Sequence, residues 1–149
     1  MSGTIEALWI KRAHRGVMDP AQSVNLVAGK GIDTDANFGR SKRQVTVIEK
    51  EVFDQISADL PDAEPAMRRA NVMVSGIRLE NTRDQLLHLG DVRIRLYGET
   101  RPCERMDAQV PGLTAALDPK WRGGVFGVVL DDGSISVGDA ATLEASTES

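Results

Sequence analysis

Cysteine is almost absent from this chain: Cys103 is the one residue of its kind among 149. A single thiol cannot form an internal disulfide, which excludes a disulfide-built secreted scaffold. Histidine is nearly as scarce. His14 and His88 are isolated from each other and from Cys103, so no zinc-ligand spacing exists and a Cys–His catalytic dyad has little support. Long apolar runs are missing as well. No stretch approaches the roughly 20 residues of a membrane-spanning helix. The opening "MSGTIEALWIKRAHRG" lacks the apolar core of a signal peptide, so the expectation is a cytoplasmic protein that does not engage a membrane. A basic excess is also lacking. The net charge is −4, which argues against general nucleic-acid binding. There is no internal repeat and no low-complexity tract.

What remains is an ordinary globular composition, 41% apolar and 27% charged. The length suits one domain spanning residues 1–149, and a chain of this size buries roughly 68–70% of its unfolded surface without a metal or disulfide staple. Short apolar stretches alternate with turn signals. Thr4–Lys11 reads as a first strand with Ile5, Leu8 and Ile10 inward, and Ser23–Val27 as a short second one. Ala28–Gln44 is polar and glycine-rich, the mark of a long loop, and loops of that length inside compact domains are usually functional or disordered. Gln44–Glu49 reads as a strand, followed by a helix over Lys50–Leu60 with Val52, Phe53, Ile56 and Leu60 on one face. Pro61 stops that helix.

Asn71–Ile77 is a further strand, and Gly90–Glu99 is the clearest of all. There Val92, Ile94 and Leu96 alternate with Arg93, Arg95 and Tyr97. "PGLTAAL" allows a short helical turn. "GVFGVVL" is a continuous apolar run, which predicts a strand buried on both faces. "DDGS" predicts a tight hairpin with Asp132-Gly133 at its turn, "SISVGD" the returning strand, and "ATLEA" the closing one. Strands dominate, so the fold class is mainly β (α+β), a compact barrel or sandwich with peripheral helices.

Cys103 is the first candidate for chemistry. It follows Pro102 just past the Gly90–Glu99 strand, with Arg101 and Arg105 two residues away on either side. Cationic neighbours favour the thiolate, the form that attacks carbon or sulfur and binds soft metals. The alternative is a small buried hydrophobe, the usual state of a free cysteine. Basic residues also concentrate in loops: Arg40, Lys42 and Arg43; Arg68 and Arg69; Lys120 and Arg122 around Trp121. Brought to one rim they would hold an anion such as phosphate. "AGKG" lacks Walker spacing. Asp33 and Asp35 give only a weak hint of a hard-cation site.

Four blocks in order resemble the MOSC family, the C-terminal domain of molybdenum cofactor sulfurases: "KGIDTDANFGRSKRQVTVIEKEVFDQI", "RRANVMVSGI", "LGDVRIRLYGETRPCERMD" and "WRGGVFGVVLDDGSISVGD". They cover about Lys30 to Asp139, as in a stand-alone bacterial-type member. The resemblance implies a mixed, barrel-like β fold and the molybdenum cofactor (molybdopterin). It implies Cys103 as a metal ligand or sulfur carrier, with Arg105 beside it in the catalytic set. Arg40, Lys42, Arg43, Arg69, Asn71, Arg101 and Arg122 would be the cofactor contacts. The expected activity is reduction of N-hydroxylated compounds, with electrons from a separate donor protein. The alternatives are a sulfur carrier or transferase using a Cys103 persulfide and served by a sulfur-donor protein, or a non-catalytic cofactor-delivery module. A pyridoxal phosphate role belongs to the sulfurases' aminotransferase-like domain, which is not found here. The sequence departs from the family where an early glycine-aspartate-arginine-histidine is common: Thr34-Asp35-Ala36-Asn37 stands instead.

Overall fold

The computed structural model describes residues 2–13, 17–65, 70–100, 110–117 and 121–144. In chain order its strands are β1 (Ser2–Lys11), β2 (Met18–Ala21), β3 (Ser23–Val27), β4 (Gly31–Ile32), β5 (Val45–Glu49), β6 (Val72–Ser75), β7 (Leu86–Leu89), β8 (Val92–Glu99), β9 (Val125–Val129), β10 (Gly133–Ser136) and β11 (Ala140–Glu144). Two helices are described, α1 (Lys50–Asp59) and α2 (Leu113–Leu117). Seven strands close a ring in the order β11-β7-β8-β9-β5-β6-β1, sealed by the antiparallel pairing of Gly3 with Ala141. β2 pairs with the C-terminal part of β1, Leu8–Lys11, and β10-β3-β4 form a separate small sheet. All barrel neighbours are antiparallel except β5 and β6, which run parallel across α1. This is the β-barrel-like, mainly β architecture that the sequence predicts.

Alternation dictates the barrel interior. Val92, Ile94 and Leu96 are fully buried, whereas Arg93 and Arg95 face solvent. Each such side chain contributes roughly 1.5–3 kcal/mol by leaving water. A register shift between Ile5 and Ala7 explains why β1 buries Ile5, Leu8 and Ile10 out of strict alternation. Val24, Leu26, Ile32 and Ile135 of the small sheet join the same core.

A second core lies outside the barrel, where α1 and α2 pack Phe53, Ile56, Leu113 and Leu117 against Trp9, Ile48 and Met73. The α1 face is therefore as the sequence predicts, with Val52 and Leu60 at its half-buried margin.

Two strand expectations are corrected. β5 is the strand covered on both faces, because α1 lies over it: all five of its residues are buried. β9 is not; Val125, Gly127 and Val129 point inward, while Phe126 and Val128 stand half-exposed. The Asp132-Gly133 hairpin does not form either. β10 pairs with β3 instead of β9. The side chains of the connection explain this. Asp131 accepts hydrogen bonds from the Arg93 amide (3.0 Å) and guanidinium (2.9 and 3.0 Å), and Asp132 accepts from the Ala28 amide (2.8 Å). These bonds carry the chain across β8 to β3. Gly133 then sits inside β10, where a Cβ would stand 2.8 Å from a Val92 methyl.

The Ala28–Gln44 loop is interrupted by β4 and held down by Gln44. Its buried side chain donates to the Gly29 and Arg40 carbonyls (2.9 and 2.7 Å) and accepts from the Val129 amide (3.1 Å). No helix among the described residues is long and apolar enough to cross a membrane.

Candidate functional site

The register of the strands gathers four chain segments at one end of the barrel. Val47 and Glu99 both pair with Val125, and Glu49 pairs with Val74. The C-terminal ends of β5, β6 and β8 and the start of β9 therefore lie together. Ligand sites favour such strand ends, where a crossover helix begins. A cavity of about 450 Å³ opens here, lined by Glu49, Glu51, Val52, Gln55, Arg78, Glu80 and Arg122.

Each lining group has a local cause. Glu49 ends β5 and stands at the N-cap of α1 with an extended backbone. Its carboxylate accepts from the Leu79 amide at 3.2 Å. Burial pushes its pKa up, more than the Leu79 bond and the Arg78 charge pull it down, and Glu51 and Glu80 add to the rise. Glu51 accepts from the Gly76 amide at 2.6 Å, which ties α1 to the turn after β6. Arg122 spreads its fork between the Ala116 carbonyl and Gln55 Oε1, both at 3.0 Å. The turn that carries Arg122 ends at Gly124, whose φ is +94° and whose missing Cβ leaves room for the Val47 carbonyl. The Thr100 amide donates to the Gly124 carbonyl at 2.8 Å. Thr100 thus docks the end of β8 against the turn that carries Arg122. Cys103 follows three positions later in the sequence.

The candidates from the sequence separate into groups. Cys103, Arg101, Arg105 and Arg69 lie outside the described residues, as do Arg68, Lys120 and His14. Arg122 lines the cavity. Asn71 is buried and its side chain is fully engaged. Oδ1 accepts from the Thr46 amide and hydroxyl (3.1 and 3.2 Å), and Nδ2 donates to the Trp9 carbonyl and Asp35 (3.3 and 2.9 Å).

Arg40, Lys42 and Arg43 are not among the residues that line this cavity; Lys42 and Arg43 reach rings on the outer surface of β8 and β9. Lys42 stands over the Tyr97 ring at 5.9 Å and Arg43 over Phe126 at 5.8 Å. Asp35 is buried and accepts from Lys11 and Asn37 amides as well as Asn71, so it braces the loop. Among the described residues no three His, Cys, Asp or Glu side chains gather as a metal site. His88 sits on β7 and meets Glu144 at 2.6 Å.

Sequence reasoning misses the cavity's acids: Glu49, Glu51 and Glu80, together with Gln55 and Arg78. The available signal is positional. Glu49 closes a strand that feeds directly into a helix, the place where open strand ends collect ligands.

A closed seven-strand barrel with one parallel crossover, and a cavity at the end where β8 leads to a Pro-Cys block, define a compact β-barrel domain class. The chain belongs to the MOSC domain family, whose match spans residues 33–142. The YuaD protein from Bacillus subtilis has the same fold, with a TM-score of 0.85 and 20% identity over 97% of both chains. YiiM from Escherichia coli gives a TM-score of 0.73 at 13% identity, covering 100% of this chain and 72% of that one. YiiM from Geobacillus stearothermophilus gives 0.71 at 15%, covering 95% and 74%. Among curated proteins, none matches the chain.

Proposed function

We propose that this chain binds the molybdenum cofactor at the cavity end of the barrel, with Cys103 as the metal ligand, and reduces N-hydroxylated compounds. One observation carries the reading: β8, which leads into the cysteine block, ends bonded to the turn that supplies Arg122 to the cavity. Family membership supports the association with this cofactor.

The residues present fit the group. At about 450 Å³ the cavity lies within the range of cofactor sites. Its donor set is mixed, as a pterin with a phosphate arm requires. The carboxylates of Glu51 and Glu80 suit the amino and ring N–H donors of a pterin, and the guanidiniums of Arg78 and Arg122 suit phosphate. A thiolate suits a soft metal, and Arg101 and Arg105 favour the thiolate form of Cys103. When bound, the cofactor supplies two-electron redox chemistry.

The chain's own part is binding and proton supply. Glu49 Oε2 accepts the Leu79 amide, so a proton held by this carboxyl sits on Oε1. Burial keeps that proton in place to higher pH than an ordinary glutamate would. Reductive cleavage of R–NH–OH takes up two electrons and two protons, breaks the N–O bond, and leaves R–NH2 and water. Both electrons come from a separate donor protein; Glu49 delivers one proton and solvent supplies the other.

The test is metal analysis of protein from a cofactor-competent host, beside Cys103→Ser. Molybdenum in the wild type and its loss in the variant is the expected result. Equal molybdenum in both removes Cys103 from the metal shell. Metal-free wild type whose Cys103 has gained the mass of one sulfur atom replaces this reading with the sulfur-carrier one.

A further inference from the structure

The outer surface of β8 and β9 carries cations laid over aromatic rings. Lys42 and Arg95 stand over the Tyr97 ring, both at 5.9 Å. Arg43 lies over Phe126 at 5.8 Å, and Arg83 over Trp121 at 5.8 Å. Gly98 links the two halves. A Cβ built there would stand 3.5 Å from both the Arg83 guanidinium and the Phe126 ring. The result is one continuous stripe, from Lys42 and Arg95 through Arg43 to Arg83. Trp121, at its far end, is the chain neighbour of Arg122 in the cavity wall.

The stripe has the character of an anion-seeking surface. Lys42, Arg43, Arg83 and Arg95 are exposed. Among the described residues no carboxylate lies within ion-pair distance of Lys42, Arg43 or Arg83, and Arg95 meets Asp84 only at 3.7 Å. Partial burial of its side chain against the ring, and after that the charge of Arg40, push the Arg43 pKa down. The chain as a whole is acidic, with a net charge of −4, so this local reversal is not a by-product of composition.

We propose that this stripe is the docking surface for an acidic face of the separate donor protein. The identity of the partner as an electron donor rests on the function proposed above; the docking chemistry does not. Charge complementarity selects the sign of the partner and speeds its encounter. The position fits the role, because the stripe ends beside the turn that borders the cavity. A single-stranded nucleic acid fits less well. Such ligands stack their bases on open aromatic faces, and here Lys42, Arg95, Arg43 and Arg83 lie over those rings.

The test uses a fluorescent ten-residue polyglutamate peptide as the probe, which requires no molybdenum. Binding by the full chain is expected at low salt, and it should weaken by about tenfold or more between 0.05 and 0.3 M salt. Lys42→Ala/Arg83→Ala should weaken binding by about tenfold, whereas the charge-matched Arg12→Ala/Lys50→Ala should change it by about twofold or less. Two further probes separate the alternatives: a ten-residue oligothymidylate, and vesicles containing phosphatidylserine. Tighter binding of either one than of the peptide overturns the proposal in favour of nucleic acid or membrane. Absence of peptide binding, or equal loss in both double variants, also overturns it and assigns the cations to covering their rings. Molybdenum content does not enter these readouts, so failure here leaves the cofactor reading standing and the reverse also holds.

Discussion

Asn71 Nδ2 donates to Asp35 Oδ1 at 2.9 Å, joining the start of β6 to the loop that follows β4. Both residues are buried, at 2% and 5% exposure, and both sit in blocks that align with the family. Asp35 also takes the Lys11 and Asn37 amides, and Asn71 also holds Thr46 and Trp9. The pair therefore fastens β1, β5 and β6 to the loop carrying Arg40, Lys42 and Arg43. Asn71→Ala leaves a buried carboxylate short of a donor and orphans groups on Thr46 and Trp9. A loss of about 3 kcal/mol is expected in urea unfolding. Because the Asn71 side chain is spent inside the protein, the variant should, on the function proposed above, keep the wild-type molybdenum content per folded molecule. A loss of metal without a loss of stability would instead make Asn71 a cofactor contact.

Glu49 makes stability fall as pH rises. Burial raises its pKa in the folded state above the value near 4.3 of an unfolded chain. Between those two values the folded state binds more protons than the unfolded one, so stability is highest below the unfolded pKa. It declines as pH climbs through the folded pKa, then levels off. Glu49→Gln keeps an acceptor for the Leu79 amide and removes the charge. Its melting temperature, relative to wild type, should rise with pH and exceed it by about 2 °C or more at pH 8. A constant offset between pH 4 and pH 8 would show that Glu49 does not titrate abnormally.

The opposite sign applies at Asp131. Three hydrogen bonds from Arg93, two from the guanidinium and one from the amide, hold its pKa at about 2. This pair contributes stability above the unfolded value near 3.9, and the contribution is lost as pH falls towards 2. Asp131→Asn should be less stable than wild type at pH 6, with the gap closing as the pH is lowered through that window. Thermal melts at one-unit pH steps measure it. The substitution also frees the connection between β9 and β10, so protection of the Ala28 and Arg93 amides from hydrogen exchange should drop.

Local pattern made much of this fold legible. Val92, Ile94 and Leu96 declare their inward face by alternation, and the Phe53–Ile56 spacing declares the α1 face. What failed was non-local. A DG pair flanked by apolar runs signals a hairpin, but the Asp131 and Asp132 side chains are claimed by Arg93 and Ala28, far away in sequence. Closure of the ring through Gly3 and Ala141 leaves no local trace. Neither does the covering of β5 by α1, which decides that β5, and not the more apolar-looking β9, is buried on both sides. The site shows the same division. Arg122 was visible as one of a cluster of loop cations. Glu49 reads locally as the last residue of a strand, and only the docking of Leu79, Arg78 and Glu80 against it makes a cavity wall. Arg40, Lys42 and Arg43 read locally as a cluster of loop cations; only the fold shows Gln44 fastening their loop through the Gly29 and Arg40 carbonyls and Lys42 and Arg43 lying over Tyr97 and Phe126.

The turn before β9 gives the sharpest test of how the cavity end is held. Gly124 has φ +94°, a conformation that costs an L side chain about 1 kcal/mol or more. The space is also closed: a Cβ would stand 2.2 Å from the Val47 carbonyl oxygen and 2.9 Å from an Ile48 methyl. A backbone carbonyl in a buried strand cannot swing aside as the tip of a side chain can. Gly124→Ala must therefore part β9 from β5, and it also strains the carbonyl that receives the Thr100 amide. A destabilisation of about 3 kcal/mol or more is expected in urea unfolding. Gly138 provides the control. It has a similar φ of +95° but nothing within 4 Å of its missing Cβ, so Gly138→Ala isolates the backbone cost. If the two alanine variants lose equal stability, the close approach of Val47 and Gly124 is not what holds this end of the barrel together.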